Sequence, residues 1–324
     1  MKEENILYIV VPCYKEQEVL PETSKRLKEK LCQLEAEGKI STSSRVMFVN
    51  DGSKDETWPI IKRLHEEDPA YFSGVNLSRN RGHQNALLAG LSEAVKKADM
   101  IISMDADLQD DINAVDAMVD QYHAGFDVVY GVRSKRETDT FFKRFTAEGF
   151  YHLMKALGVD IVFNHADYRL MSRRALQGLL QFSEVNLFLR GIVPQVGYPS
   201  TQVTYERAER FAGESKYPLK KMLAFAMDGI TSFSVKPIRL VLWAGVIVFL
   251  ASLIMFLYAI VRKVTGHTST GWASLMASIW MLGGIQLLGI GIVGEYIGKI
   301  YNETKRRPRF IIESVLDSGE EKNA

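Results

Sequence analysis

Two aspartates that directly follow an apolar run have the clearest chemical potential in this chain. Residues 100–104 (Met-Ile-Ile-Ser-Met) lead into Asp105 and Asp107. Because alternate residues of an extended segment point to the same side, the two carboxylates are expected to face the same way. Carboxylate oxygens are the ligands that hard divalent cations prefer. An acidic surface turn is the alternative interpretation of so short a motif taken alone.

The N-terminal two thirds of the chain alternate between apolar runs and segments of helical period. Strands are predicted over residues 6–11, 46–49, 75–77, 100–104 and 128–130. Helices are predicted over residues 19–37, 58–67, 83–97 and 112–123. This alternation indicates right-handed βαβ units on a parallel sheet, in which ligands bind beyond the carboxyl ends of the strands.

Polar motifs stand at the ends of three further predicted strands, in residues 12–16, 50–53 and 77–80. Together with the Asp105 loop they are expected to line one crevice. No Gly-x-Gly-x-x-Gly follows the first strand and no Walker sequence occurs, which disfavours a dinucleotide dehydrogenase or a P-loop enzyme. Asp51, on a turn that contains glycine, is suited to hydrogen-bond a base or a ribose, and Asp55 with Thr57 fits turn formation and helix capping equally well.

Composition narrows the classes of protein to consider. The chain has 324 residues, 47% of them hydrophobic. This length and composition exceed what one compact soluble domain usually needs, so a part beyond a single domain is expected. Its net charge of +1 offers no general attraction for nucleic acid. The two cysteines, Cys13 and Cys32, are typical of a reducing compartment. Residues 1–11 lack the features of a signal peptide, so the N-terminal region is expected to stay in the cytoplasm.

Two uncharged stretches, residues 240–261 and 271–294, are each long enough to cross a hydrocarbon layer about 30 Å thick. They predict a transmembrane helical hairpin, and a pair of buried helices in a globular core is the alternative. Basic residues flank the hairpin on its outer sides: Lys220, Lys221, Lys236, Arg239, Lys299, Lys305, Arg306, Arg307 and Arg309. Since the connecting loop has only Arg262 and Lys263, both termini are expected in the cytoplasm.

These features divide the chain into four predicted parts. Residues 1–217 form the α/β domain, and residues 239–298 contain the two spans. Residues 218–238 start with lysines and continue with apolar side chains, which favours an amphipathic interface segment. A linker helix packed on the domain is the alternative for that segment. Residues 299–324 are predicted to be a cytoplasmic tail.

The polar motifs, taken in order, resemble those of a known family. They are residues 11–16, 49–55, 77–83, 105–109 and 131–133. This set is similar to that of family 2 glycosyltransferases, which have the Rossmann-like GT-A fold. With residues 167–171, 190–191 and 213–217 and the two spans, the whole chain resembles the polyprenyl-phosphate glycosyltransferases, including dolichol-phosphate mannose synthases and bacterial undecaprenyl-phosphate glucosyltransferases.

The resemblance implies roles for individual residues. Metal ligands for Mg²⁺ or Mn²⁺ would be Asp105, Asp107 and Gln109. Residues that bind the nucleotide-sugar would be Pro12, Tyr14, Glu16, Asp51, Arg79, Asp105 and Asp107. The acceptor phosphate would be bound by Arg133, Arg169 and Lys216, and the catalytic residues would be Asp105, Asp107 and Arg133. Guanidinium groups suit this task because they bind phosphate bidentately.

The implied reaction is inverting sugar transfer from UDP-glucose or UDP-N-acetylglucosamine to a polyprenyl phosphate at the plasma membrane, for cell-envelope glycan modification. A GDP-mannose-dependent mannose synthase and a non-catalytic sugar-nucleotide-binding scaffold are the alternatives. A processive polysaccharide synthase is disfavoured because the chain has no Gln-x-x-Arg-Trp motif. Many relatives have an acidic residue where this chain has Asn50. Some relatives are tetramers, so the resemblance also implies a homo-oligomer.

Overall fold

The computed structural model describes residues 5–133, 165–184, 189–206, 236–265, 271–317 and 320–323. The chain divides into two compact units. The first comprises Met1–Tyr151, Ile161–Tyr217 and Arg307–Ala324, and the second comprises His152–Asp160 and Pro218–Arg306.

Strands and helices alternate through the first unit. The strands are β1 (Leu7–Cys13), β2 (Arg45–Asn50), β3 (Phe72–Leu77), β4 (Met100–Ser103), β5 (Val128–Arg133), β6 (His165–Ser172), β7 (Ser200–Tyr205), β8 (Ile312–Asp317) and β9 (Glu320–Asn323). The helices are α1 (Leu20–Ala36), α2 (Thr57–Glu67), α3 (His83–Ala94), α4 (Ala114–His123), α5 (Arg173–Leu180), α6 (Leu189–Ile192) and a 3₁₀ turn (Val193–Val196).

The described strands form one mixed sheet in the order β7-β5-β6-β4-β1-β2-β3-β8-β9. Strands β1 to β5, β7 and β9 run in one direction, whereas β6 and β8 run in the opposite direction. The predicted α/β class, a mostly parallel sheet flanked by helices, is therefore confirmed. The carboxyl ends of β1, β2, β3 and β4 lie along the same edge of the sheet.

Burial in the core agrees with the parallel arrangement of the central strands. Every residue of β1 is buried, as expected for a strand covered by helices on both faces. Helix α1 buries Leu20, Leu27, Leu31 and Leu34, which recur at helical spacing. Burying one such leucine contributes about 1.5–3 kcal/mol.

Four strands, β6 to β9, were not predicted from the sequence, and the last of them, β9, pairs with β8 at one edge of the sheet. Strand β6 contains Asp167 and Arg169, which interrupt its apolar pattern. Strand β7 lies at an edge of the sheet and is mostly polar. Strand β8 lies in the predicted tail, yet it pairs with β3 and buries Leu316 in the core. Residues 312–317 are thus part of the sheet, because alternate residues of this segment are apolar and fit a half-covered strand.

The second unit contains two long helices, α7 (Lys236–Val264) and α8 (Trp272–Lys305). They cover both predicted spans. In the part of the chain that the structure describes, one segment, Met281–Lys305, is a helix long and apolar enough to cross a membrane. A Cβ atom added at Gly289 would lie 3.3 Å from Val241, so the two helices approach closely there. Residues 218–235 of the predicted interface segment lie outside the described residues.

Candidate active site

The loop after β4 carries the three predicted metal ligands, Asp105, Asp107 and Gln109. The hydroxyl of Thr23 on α1 donates a 2.9 Å hydrogen bond to the carbonyl of Ala106 and so fixes the loop against that helix. The side chain of Asp105 is 39% exposed, and Asp107 is also partly exposed. The backbone N–H of Gln109 donates to the carboxylate of Asp107 at 3.2 Å.

Leu108 turns this loop through a left-handed backbone conformation, with φ of 56°. A branched side chain in this region costs roughly 1–2 kcal/mol, and such strain is concentrated at functional sites. The side chain of Leu108 is nevertheless buried, which helps to hold the conformation. The turn separates the partly exposed Asp107 from Gln109, which is buried.

A cluster of charged side chains surrounds Asp167 on β6. Arg169 donates to its carboxylate at 2.8 Å, and Arg190 donates to both of its oxygens at 3.3 and 3.4 Å. The Nε2 atom of His83 lies 3.8 Å from Asp167 and 3.5 Å from Asp105. Burial alone would raise the pKa of Asp167, but the positive charges of Arg190 and Arg169 hold it well below its usual range.

The environment of Asp105 shifts its pKa in the opposite direction. Burial raises the pKa of this carboxyl, the charge of His83 opposes the shift, and the negative charges of Asp167 and Asp107 add to it. A bound cation would offset the negative charges of Asp107 and Asp167 next to Asp105. The side-chain oxygens of Asp105 and Asp107, with that of Gln109 as the third predicted ligand, are of the kind that Mg²⁺ and Mn²⁺ prefer.

No group of three or more His, Cys, Asp or Glu side chains that could hold a metal ion occurs among the described residues. Two carboxylates are nevertheless enough for Mg²⁺ when substrate phosphates and water supply its other ligands. The residues present therefore fit a cation that is shared with a diphosphate.

A second network lies beside the same loop. The hydroxyl of Tyr205, at the end of β7, donates a 2.5 Å hydrogen bond to Asp110 and accepts one of 3.3 Å from Nε of Arg133. Burial, and then the charge of Asp105, raises the pKa of Asp110 to about 6. Asp110 and Tyr205 were not predicted as site residues. The acidic run pointed only weakly to Asp110, and nothing in the sequence pointed to Tyr205.

Asp51 shapes the loop that precedes α3. Its carboxylate accepts hydrogen bonds from the backbone N–H groups of Arg81 at 2.6 Å and Gly82 at 2.9 Å. Gly52 beside it has φ of 60°, and a Cβ atom there would lie 2.4 Å from the backbone of Arg79. The loop-forming role of Asp51 is thus visible in the structure, and its predicted contact with a nucleotide stays a prediction.

The loop after β1 holds the other predicted nucleotide-binding residues. Pro12 is buried at the end of the strand, whereas the ring of Tyr14 is 45% exposed. The hydroxyl of Ser53 accepts a hydrogen bond from the backbone of Lys15 at 3.1 Å. Glu16 is held similarly, because its N–H donates to Thr57 at 3.0 Å. An exposed tyrosine on a fixed loop can stack on a flat ligand.

The arginines predicted to bind phosphate differ in their surroundings. Arg133 is partly exposed beside Tyr205, and Arg79 is exposed. Arg169 is only 2% exposed, and its Nη1 atom has no hydrogen-bond partner within the described residues. Lys216 lies outside the described residues. The phosphate-binding roles of Arg133, Arg169 and Lys216 and the nucleotide-sugar-binding role of Arg79 stay predictions.

Comparison with known proteins adds independent information. Residues 8–180 match the glycosyl transferase family 2, and residues 236–300 match the GtrB C-terminal hairpin. An uncharacterized glycosyltransferase of Bacillus subtilis, YkoT, is 53% identical over 95% of this chain and 91% of its own length.

Two further relatives have more specific names. The prophage bactoprenol glucosyl transferase homolog of Escherichia coli is 41% identical over 95% of this chain and 98% of its own length. The bactoprenol glucosyl transferase of Shigella phage SfV is 42% identical over 94% of this chain and 97% of its own length. The family match covers more than half of the chain and includes the Asp105 loop. The chain belongs to the family 2 glycosyltransferases and carries a C-terminal hairpin of the GtrB type.

Proposed function

We propose that this protein transfers glucose from a nucleoside diphosphate sugar, UDP-glucose, to a polyprenyl phosphate. The observation that carries the proposal is the similarity to two bactoprenol glucosyl transferases, which extends over 94–95% of the chain. It therefore includes the hairpin as well as the glycosyltransferase domain. Bactoprenol is a polyprenyl lipid, so the acceptor class follows from these names.

Asp105, Asp107 and Gln109 are the proposed ligands of Mg²⁺ or Mn²⁺. A divalent cation held there would offset the negative charge of the departing nucleoside diphosphate. Tyr14 and Glu16, on the loop after β1, are proposed to contact the nucleoside together with Pro12, Asp51 and Arg79. Their loops are held by Ser53 and Thr57, so the binding surface is preorganised.

The acceptor requires no general base. A phosphate monoester has a second pKa near 6 and is mostly ionised at neutral pH. One of its oxygens can attack the anomeric carbon directly, forming a new C–O bond as the bond to the diphosphate breaks. A single in-line displacement of this kind inverts the anomeric centre.

The charges near Asp105 support this mechanism. Arg190 and Arg169 hold the pKa of Asp167 low, so this carboxylate is poorly suited to take a proton from an acceptor hydroxyl. Arg133 and Arg190, both partly exposed, supply positive charge for phosphate oxygens. With Arg169 and Lys216 they are the proposed acceptor-binding residues.

Membrane attachment brings the protein to its acceptor. A polyprenyl chain stays in the bilayer while its phosphate lies at the surface, and helices α7 and α8 are proposed to span that bilayer. Strand β8 follows α8 but pairs with β3 of the first unit. This connection supports the proposal of an even number of spans, with the segments before α7 and after α8 on one side of the membrane.

The direct test is transfer of radiolabelled sugar by the purified full-length protein in detergent. UDP-glucose, UDP-N-acetylglucosamine and GDP-mannose are offered in turn with undecaprenyl phosphate, and undecaprenol without its phosphate is the matched control. We expect label in the lipid only with UDP-glucose and only with the phosphorylated acceptor. Labelling from GDP-mannose instead would make the protein a mannose synthase, and the absence of labelling with every donor would refute the proposal.

A further inference from the structure

A chain of side-chain amides crosses three strands next to the proposed nucleotide site. The Nδ2 group of Asn50, the last residue of β2, donates a 2.7 Å hydrogen bond to Oδ1 of Asn76 on β3. The Nδ2 group of Asn76 donates a 2.8 Å hydrogen bond to the carboxylate of Glu313 on β8. Asn50 is 2% exposed and Asn76 is 9% exposed, so the bond between the two amides is buried.

Strand register brings these residues together. Asn50 lies directly opposite Asn76 in the parallel pair of β2 and β3. The antiparallel pair of β3 and β8 shifts register just after Asn76, where Glu313 lies beside it. The chain of amides therefore depends on a strand that follows the helical hairpin in sequence and is far from β2 along the chain.

Glu313 fixes the direction of the hydrogen bonds. A carboxylate can only accept, so Asn76 must turn its NH₂ group toward Glu313 and its carbonyl oxygen toward Asn50. Asn50 must then turn its NH₂ group toward Asn76. This leaves the carbonyl oxygen of Asn50 to accept a 3.2 Å hydrogen bond from the backbone N–H of Ser53.

Ser53 connects these amides to the neighbouring loop through hydrogen bonds. Its backbone is held by Asn50, and its hydroxyl accepts the hydrogen bond from the backbone of Lys15, between Tyr14 and Glu16. We propose that Asn50 and Asn76, oriented by Glu313, are positioning residues for the two loops that bind the donor nucleoside. The inference rests on the proposed function for the identity of the ligand.

This role accounts for asparagine at position 50. A carboxylate there could accept from Ser53 but could not donate to the carbonyl oxygen of Asn76. Two buried acceptors would then face each other, which is unfavourable. The Asn76 amide could avoid this by turning over, but it would then lose its hydrogen bond to Glu313. Asn50 is thus matched to Asn76 and Glu313 in this chain.

The test compares three variants of the full-length protein in detergent. Asn76→Ala removes the central amide. The double change Asn76→Asp with Glu313→Gln restores an acceptor toward Asn50 and a donor toward position 76. Asp317→Asn is the matched control, because Asp317 also lies on β8 but pairs with Arg45 and Lys97 instead.

Two quantities are measured for each variant: the KM for UDP-glucose and the hydrogen–deuterium exchange rate of residues 12–16 and 50–57. Asn76→Ala loses its hydrogen bonds to Asn50 and Glu313, of which the first is buried. We expect a KM about fivefold to tenfold higher for this variant, and faster exchange by a similar factor. The kcat should change by less than about twofold, since the residues that contact the reacting atoms are untouched. The double variant and Asp317→Asn should both resemble the wild type.

Exchange in these two segments that is no faster in Asn76→Ala than in Asp317→Asn would overturn the positioning role. A lower melting temperature with unchanged exchange and unchanged KM would overturn it as well. Exchange is measured without any substrate, so it decides the inference even if the wild-type protein transfers no sugar. Failure of the proposed function and failure of this inference are therefore distinguishable.

Discussion

At the scale of single residues, two aspartates of the candidate site differ in the direction of their pKa shifts because their surroundings differ. Asp167 is held ionised by Arg190 and Arg169, whereas burial and nearby negative charge raise the pKa of Asp105. Protein cations compensate the first carboxylate more fully than the second, whose pKa stays raised although His83 and Arg190 oppose the shift. An added metal ion is therefore expected beside Asp105 and Asp107 rather than beside Asp167.

Tyr205 provides a prediction at this scale, because its hydroxyl joins Asp110 to Arg133. Tyr205→Phe removes both hydrogen bonds but keeps the aromatic ring, which packs edge to face on Tyr168 with centroids 5.2 Å apart. We expect kcat for sugar transfer to fall about tenfold, the effect of roughly 1.4 kcal/mol in the barrier, because Arg133 loses its orientation. Steady-state kinetics with varied acceptor concentration measure this change.

Tyr198→Phe is the matched control for that variant. Tyr198 is partly exposed and packs against Arg174, away from the Asp105 loop. Equal rates for the Tyr205 variant, the Tyr198 variant and the wild type would show that the hydroxyl of Tyr205 does not position Arg133.

Part of the site could be predicted from the sequence because its residues are close along the chain. Asp105 and Asp107 follow one strand, and their spacing alone suggested a shared ligand. Tyr205 could not be found in this way, since its partner Asp110 is 95 residues away and β7 carries no motif. The roles of Asp51 and Asn50 depended on backbone contacts and on strand register, which sequence spacing does not reveal.

At the scale of elements, the predicted strands and helices around β1 lie close to the observed ones because their apolar periods are regular. Helix α1, predicted over 19–37, spans Leu20–Ala36. Strand β6 was missed because Asp167 and Arg169 interrupt the apolar pattern that marks a strand. Strand β8 was missed because the two predicted spans before it suggested a free tail.

Leu316 tests whether β8 belongs to the folded domain. Leu316→Ala removes a buried side chain from the core and should lower the free energy of unfolding by about 2–4 kcal/mol. Thermal unfolding of the full-length protein in detergent measures the loss. Ile311→Ala is the control, since Ile311 is exposed, and an equal melting temperature for the two variants would contradict the placement of β8 in the core.

At the scale of the whole molecule, the second unit includes Pro218–Arg306, and the chain belongs to the first unit again from Arg307. Strand β8 pairs with β3, so the chain on either side of the two long helices belongs to the same sheet. An even number of spans is the arrangement that this connection favours, and the placement of both termini in the cytoplasm stays a prediction.

Cysteine labelling in intact cells checks that arrangement. Cys32 is exposed and Cys13 is buried, so a membrane-impermeant maleimide should react with Cys32 only after the cells are broken. In the variant Cys32→Ser with Thr268→Cys, the new thiol lies between the two predicted spans and should react in intact cells. Labelling of Cys32 in intact cells would place the first unit outside and contradict the topology.

The central claim is tested most directly by the structure of the product made from UDP-glucose and undecaprenyl phosphate. Mass spectrometry and NMR should show one hexose on the lipid phosphate with the β configuration, because a single displacement inverts the α-linked donor. Product formation should require Mg²⁺ or Mn²⁺ and should fall at least about a hundredfold in Asp107→Asn, which weakens the metal site, but not in Asp120→Asn on the surface of α4. A hexose polymer, an α-linked product, or full activity of Asp107→Asn would contradict the account.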